Sequence, residues 1–401
     1  MTLRDKHIVL GVSGSIAAYK AADVASKLVQ AGAQVSVILT AAAQQFVTPL
    51  TFRSLTHRPV VTSWFDPGSE LSIQHVTLAE TADALLVAPA TADLMAKLAA
   101  GMADDPLTGT ALATQAPLVL APAMDAHMYE HPATQANVRT LTERGALLVG
   151  PEPGRLASGL TGMGRLAATE AILAAVSTAL GRNGDLKGRT VVVSAGPTEE
   201  PLDPVRVITN RSSGKMGYAI AEAARDRGAR VVLVTGPTAL PKPWGIDVRG
   251  VHTTAEMLAC VQASSGADAL IMAAAPGDFR PETVAPDKIK KGPEATLTIS
   301  LLKNPDILGT VAGFTVKAGF AAESRDLLDN ARAKLAAKGL DFIVANDVAG
   351  DEPVFGSDLN KVTILDAAGG VDDLPRMTKA DLAGRILDRV VAALQTKARA
   401  P

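Results

Sequence analysis

The chain has 401 residues, with 39 Lys+Arg against 41 Asp+Glu, and its net charge of −2 gives no global field to draw it onto nucleic acid or an anionic membrane. With 47% apolar and 20% charged residues it can build sizeable cores, which excludes bulk disorder, and its length suits two or three domains. One cysteine, Cys260, excludes an internal disulfide framework and any cysteine-based zinc site. The opening MTLRDKHIVLGV passes from charge straight into a short strand, and no run approaches about 18 consecutive apolar residues. These features predict a soluble, cytoplasmic α/β protein without a nucleic-acid or membrane partner.

In chain order, apolar runs at His7–Val12, Gln34–Thr40, Ala84–Ala88, Pro117–Ala121 and Ala146–Val149 read as strands, and Ala17–Ala31, Ala92–Ala100 and Thr134–Arg144 as helices between them. That alternation predicts βαβ units around a parallel sheet. A helix over Ala168–Leu180 ends in the polar, glycine-rich stretch 181–188, the best linker candidate. The pattern then restarts with a strand at Thr190–Val193, a long loop, a helix at Met216–Arg227 and a strand at Val231–Thr235. The words AGAQVSVILT (31–40) and RGARVVLVTG (227–236) are alike. Duplication and the common form of helix–Gly–strand joins explain this equally well. Either way the expected fold is two Rossmann-like doubly wound domains, 1–189 and 190–401.

Chemistry is expected beyond strand ends. GVSGSIAAYK (11–20) follows the first strand and opens a helix; small residues, hydroxyls and a helix N-terminus suit a phosphate, although a bare tight turn would read the same. It lacks G-x-G-x-x-G, the dinucleotide fingerprint. Thr40 ends the next strand, where a second phosphate or ribose contact is expected. Two strands end in LLVAPAT (85–91) and LVLAPAM (118–124), which could frame one cleft or simply carry strand-terminating prolines. His75 lies just before a helix-like segment.

In the second half, TNRSSGKMG (209–217) fails as a P-loop because Thr209 replaces the first glycine and Met216 the Ser/Thr; an anion loop remains open. APDKIKK (285–291) places three lysines in a loop, either a solvated face or a polyphosphate contact. Lys334 and Lys338 fall one helical turn apart.

These words resemble the bifunctional coenzyme A biosynthesis enzymes that join phosphopantothenoylcysteine decarboxylase to phosphopantothenate–cysteine ligase. The resemblance spans the whole chain, through GVSGSIAAYK, QHVTL, APATADLMAKLAAGMADD, PAM, GPTEEPLDPVRVITNRSSGKMG, APDKIKK, KNPDIL, GFAAE and AND. It implies a flavodoxin-like first domain of the flavin-containing cysteine decarboxylase type. There FMN, at Gly14, Ser15, Thr40 and Thr91, oxidises the thiol end of phosphopantothenoylcysteine. The thioaldehyde loses carbon dioxide and is reduced back to 4′-phosphopantetheine, with His75 as base. It further implies that the second domain uses CTP, with Mg²⁺, to convert 4′-phosphopantothenate to an acyl-cytidylate that cysteine captures. Asn210 matches the residue acting on that intermediate and Lys288 the one serving the triphosphate. Ala273, Ala274, Ala275, Asp278, Pro305, Asp306, Ile307, Leu308, Phe320, Lys334 and Lys338 match the CTP site. Metal ligands are not indicated. Trimeric decarboxylase cores and dimeric ligase domains are implied, hence a homo-oligomer.

Three positions depart from the family. Asp125 stands where the family has Asn after PAM, and an ionised Asp repels a carboxylate unless burial protonates it. Ser158 stands where the family flap carries Cys, a far better proton donor. Pro276 removes a backbone donor in AAAPGDF (273–279). Two readings follow: a working two-step enzyme, or an active ligase whose flavin domain is impaired or a scaffold. An NAD-dependent oxidoreductase fails on the missing fingerprint.

Overall fold

A computed structural model describes residues 3–64, 74–291, 296–323, 326–347 and 356–399. The chain divides into two compact units, Met1–Arg182 and Asn183–Pro401, so the break falls inside the polar stretch 181–188.

In the first unit, β1 (His7–Val12), β2 (Gln34–Leu39), β3 (Val60–Val61), β4 (Ala84–Ala90), β5 (Leu118–Pro122) and β6 (Leu147–Leu148) form one sheet. All its pairs are parallel, in the order β3-β2-β1-β4-β5-β6, the doubly wound order whose ligand crevice opens where the winding reverses, between β1 and β4. Those two strands are buried almost end to end, which is why their sequences run apolar without alternation. The helix expected over Ala17–Ala31 is two elements: a 3₁₀ turn, Ile16–Tyr19, then an α-helix, Lys20–Gln30. His75 lies within a helix, Gln74–Thr81, rather than ahead of one. The helix Ala92–Ala100 starts on Thr91, whose hydroxyl accepts from the Leu94 N–H at 3.3 Å, and stops at Gly101 with φ 71°.

A hairpin not anticipated from sequence follows β6: β7 (Glu152–Arg155) pairs antiparallel with β8 (Thr161–Arg165). Its strands read EPGR and TGMGR, with glycine and proline where a strand former would give the signal.

In the second unit, β9 (Thr190–Ala195) starts a larger sheet. A small hairpin, β10 (Glu199–Pro201) and β11 (Val207–Thr209), occupies the loop after it. The remaining strands are β12 (Arg230–Thr235), β13 (Asp247–Gly250), β14 (Ala269–Met272), β15 (Phe279–Pro281), β16 (Leu301–Lys303), β17 (Val316–Glu323), β18 (Phe342–Asp347), β19 (Leu359–Asp366) and β20 (Val371–Thr378). The sheet order is β13-β12-β9-β14-β17-β18-β19-β20, while β15 and β16 pair separately. Through β18 the pairs are parallel and repeat the winding of the first sheet; β19 and β20 add an antiparallel edge.

The central strands serve two cores at once. Val191, Val193, Leu233 and Ile271 pack on one face, and Val192, Val232, Val234 and Leu270 on the other, the period-2 outcome of a sheet covered on both sides. The last helix, Lys379–Arg399, buries Leu382, Ile386, Val390 and Leu394 along one stripe. Each such side chain contributes about 1.5–3 kcal/mol when removed from water. No helix among the described residues is long and apolar enough to cross a membrane.

Candidate active sites

In the first unit the structure brings Asp125 and Ser158 together. Asp125 follows β5 and caps the short helix Ala126–Glu130, accepting the His127 N–H at 3.1 Å. Ser158, at the hairpin tip, donates its hydroxyl to Asp125 Oδ2 at 2.6 Å. Glycine permits the approach. A Cβ on Gly164 would lie 2.1 Å from the Met124 carbonyl oxygen, and one on Gly162 would lie 2.7 Å from Ala126 Cβ. The Met124 N–H donates to the Gly164 carbonyl at 3.0 Å, fastening hairpin to strand end.

Asp125 is half-buried, but burial does not protonate it. The Ser158 hydroxyl, then the His127 N–H, holds its carboxyl below the usual range, so it is an anion at neutral pH. Around the pair lies a cavity of about 350 Å³ lined by Ser15, Ile16, Ala17, Tyr19, Lys20, Ala123, Met124, Arg155, Leu156, Ala157, Gly164, Arg165 and Leu166. The cations Lys20, Arg155 and Arg165 were not singled out from sequence. Lys20 closes the word GVSGSIAAYK and Arg155 and Arg165 flank the Ser158 segment, and only folding places all three on one cavity.

The other flavin candidates stand at the carboxyl ends of β1, β2 and β4. Ser15 caps the 3₁₀ turn, accepting the Ala17 N–H at 3.2 Å, and lines the cavity. Gly14 packs so tightly that a Cβ would meet Ala42 Cβ at 2.4 Å. Thr40 and Thr91 do not line the cavity; their hydroxyls cap Ala43 and Leu94. Ser13 is buried, and its hydroxyl is not directed to a ligand: it donates to the Pro89 carbonyl at 2.7 Å and accepts the Thr91 N–H at 3.1 Å. It locks the β1 loop to the β4 loop across the crevice. His75 is also off the cavity, its ring edge-on to Trp64 with centroids 4.6 Å apart.

In the second unit a cavity of about 770 Å³ opens beyond β9, β14, β17 and β18. Asn210, Ala273, Ala274, Ala275, Asp278, Pro305, Asp306, Ile307, Leu308, Phe320, Lys334 and Lys338 all line it, together with Ser212, Ser213, Lys215, Asn346, Asn360 and Lys379. Asn210 Nδ2 donates to the carbonyls of Ala275 and Pro276, both at 3.1 Å. The amides of Ala274, Ala275 and Gly277 donate to Ser194 Oγ, the Gly196 carbonyl and Thr198 Oγ1. This segment is therefore pinned to the β9 loop on both sides of Pro276.

Lys338 Nζ meets Asp306 Oδ1 at 2.9 Å, and Lys334 Nζ donates to the Phe320 carbonyl at 3.0 Å. Burial pushes the Asp306 carboxyl up, but Lys338 and the Gly309 N–H outweigh it and keep the group below its usual value. Lys379, buried, is pushed down by burial and then by Lys215. Lys288 is exposed and does not line the cavity. No group of three or more His, Cys, Asp or Glu among the described residues is arranged to hold a metal ion.

Two family models match. One, described as flavoprotein, covers residues 1–181; the other, described as DNA/pantothenate metabolism flavoprotein C-terminal domain, covers residues 186–394. The coenzyme A biosynthesis bifunctional protein CoaBC of Escherichia coli (strain K12) is 44% identical, covering 100% of both chains. That of Bacillus subtilis (strain 168) is 45% identical over 97% of this chain and 98% of the relative. A solved C-terminal domain of a CoaBC protein is 37% identical over 53% of this chain and 99% of that chain, with a TM-score of 0.46.

Proposed function

The chain belongs to the bifunctional coenzyme A biosynthesis proteins, an enzyme family with decarboxylase and ligase activities, and from that premise we propose how its residues divide the two reactions. The part up to residue 189 decarboxylates phosphopantothenoylcysteine with FMN, and residues 190–401 ligate cysteine to 4′-phosphopantothenate with CTP. Likeness along the full length to two-activity relatives does not favour the reading in which the flavin domain is impaired or a scaffold.

The observation that carries the ligase reading is the gathering of the nucleotide candidates on one cavity at the winding reversal of the second sheet. A carboxylate is a poor electrophile. The substrate carboxylate oxygen attacks the α-phosphorus of CTP, pyrophosphate leaves, and the acyl-cytidylate gives up CMP when the cysteine amine attacks. Asn210, braced on the Ala275 and Pro276 carbonyls, positions the acyl group; Lys334 and Lys338 hold the nucleotide, and Lys288 neutralises charge developing on the phosphates. The phosphate charge is shared between the lysines and Mg²⁺, which a nucleotide carries largely on its own phosphates and waters.

In the first unit the strand-end loops fit a flavin. The Gly14–Ser15 loop offers backbone N–H groups ahead of a helical turn, and exposed Ile16 and Tyr19 offer apolar cover. Gly14, Ser15, Thr40 and Thr91 would hold it, and bound FMN supplies oxidation of the substrate thiol and the later reduction. Since Asp125 is an anion, the substrate carboxylate is held not by it but by the cations around it, Lys20 and Arg155 foremost. Ser158, oriented by Asp125, faces the reacting carbon. His75 lies away from this cavity, and a second copy of the chain brings it there: the decarboxylase works as a homo-oligomer, a trimeric core, with dimeric ligase domains. The location is the cytoplasm.

The test is mass-resolved product analysis of the purified chain with 4′-phosphopantothenate, CTP, Mg²⁺ and cysteine. Phosphopantothenoylcysteine, CMP and pyrophosphate are expected, followed by carbon dioxide and 4′-phosphopantetheine. Equal turnover with ATP would overturn the nucleotide assignment.

A further inference from the structure

The lysine loop 286–291 has neither helix nor strand, and Lys288, Lys290 and Lys291 are exposed. The Ala285 N–H just ahead of it donates to the Leu202 carbonyl at 3.0 Å, and within it the bonds among the described residues run through Ile289. The Ile289 N–H donates to Asp203 Oδ2 at 3.1 Å, and its carbonyl accepts Arg206 Nη2 at 2.6 Å. Both partners lie in the turn between β10 and β11, far away in sequence.

Asp203 and Arg206 are built as one piece. The Asp203 carboxylate is fully buried. Its Oδ1 accepts the Val205 and Arg206 N–H groups, both at 2.8 Å. Its Oδ2 accepts Arg206 Nε at 2.9 Å and Nη2 at 2.6 Å besides Ile289. The Arg fork and the carboxylate thus present one donor and one acceptor side by side to a single residue, as a neighbouring strand would. Burial pushes the Asp203 carboxyl up, yet the donors from Ile289, Val205 and Arg206 hold it far below the usual range, so the acceptor stays charged. Neither residue lines the nucleotide cavity. Their direct bonds beyond their own turn, among the described residues, go to Ile289 of the loop.

We propose that Asp203, with Arg206 as its fork, is a positioning residue that sets the reach of Lys288 toward the nucleotide phosphates by clamping both main-chain polar groups of Ile289. The inference rests on the role given to Lys288 above. A lysine carries rotatable bonds and loses entropy when it is held at a phosphate; fixing the backbone beside it lowers that cost. Freed from the clamp, the loop would offer the same charges over a wider volume, and the effect would fall on the CTP-dependent step.

The experiment measures ligase kinetics of the full chain, varying CTP and phosphopantothenate separately, for Asp203→Asn and Arg206→Lys, alone and combined with Lys288→Gln. The expected result is an apparent KM for CTP raised about tenfold in each single variant, with that for phosphopantothenate within about twofold. On the Lys288→Gln background either change adds less than about twofold, because it acts through the residue already removed. Unchanged CTP kinetics, or losses that multiply with Lys288→Gln, would overturn the clamp. If Asp203→Asn does not fold, Arg206→Lys, which keeps the charge but loses the fork, decides on the same terms. Trypsin cleavage after Lys288, Lys290 and Lys291 gives a readout free of activity: it should quicken in folded Arg206→Lys, and unchanged cleavage refutes the proposal. An unaltered chain that releases no pyrophosphate from CTP would defeat the ligase reading instead, leaving trypsin to judge the clamp alone.

Discussion

The Ser158 hydroxyl donates to Asp125 Oδ2 at 2.6 Å, so the two positions expected from sequence to replace an Asn and a Cys are one hydrogen-bonded unit. Taken singly, each replacement looks like a loss. Taken together, each supplies what the other needs: an acceptor for the hydroxyl and a donor for the carboxylate.

Exchanging one member of that unit should therefore harm more than exchanging both. Asp125→Asn alone and Ser158→Cys alone are each expected to lower 4′-phosphopantetheine formation about tenfold, while the double variant returns to within about threefold of the unaltered chain. Losses that simply multiply would show that the two side chains act independently.

Removing the hydroxyl should also move a titration. Ser158, the His127 N–H and the nearby His127 ring hold the Asp125 carboxyl below its usual value, so Ser158→Ala should raise it. The sign for stability follows: a depressed carboxyl contributes above the unfolded-chain value near pH 4, and the contribution is lost as pH falls through the folded value. Carbon-detected NMR titration of Asp125 in both proteins reads the shift; identical midpoints would refute it.

Gly14 is the steric test of the first strand-end loop. An added Cβ would stand 2.4 Å from Ala42 Cβ and 2.9 Å from its carbonyl carbon, and neither has a flexible tail to swing away. Gly14→Ala should cost about 1–3 kcal/mol in thermal unfolding and weaken the flavin absorbance band of the purified protein. A variant as stable and as yellow as the original would contradict the close packing.

Asn210 offers the corresponding test in the ligase. Asn210→Asp turns a donor shared by the Ala275 and Pro276 carbonyls into a charged acceptor facing two acceptors. Ligation is expected to fall about tenfold to a hundredfold, while decarboxylation of supplied phosphopantothenoylcysteine stays unchanged. Equal loss of both activities would point to general misfolding.

Periodicity alone made the layered α/β architecture legible. Strands such as His7–Val12 and Thr190–Ala195 are apolar on both faces because both faces are covered, and helices such as Ala92–Ala100 carry their own cap and stop residues. Those are local constraints, written within about ten neighbouring residues. The hairpin bearing Ser158 is not legible in the sequence, because its strands carry glycine and proline in place of strand formers, with Gly162 and Gly164 allowing the close approach to Ala126 and Met124. Nor is its bond to Asp125, nor the grip of Asp203 and Arg206 on Ile289. Each joins residues distant along the chain, and only the crossing of strands and loops in space decides which side chains meet. The types of residue present set the chemistry available to this protein; the winding of its two sheets chose the partners.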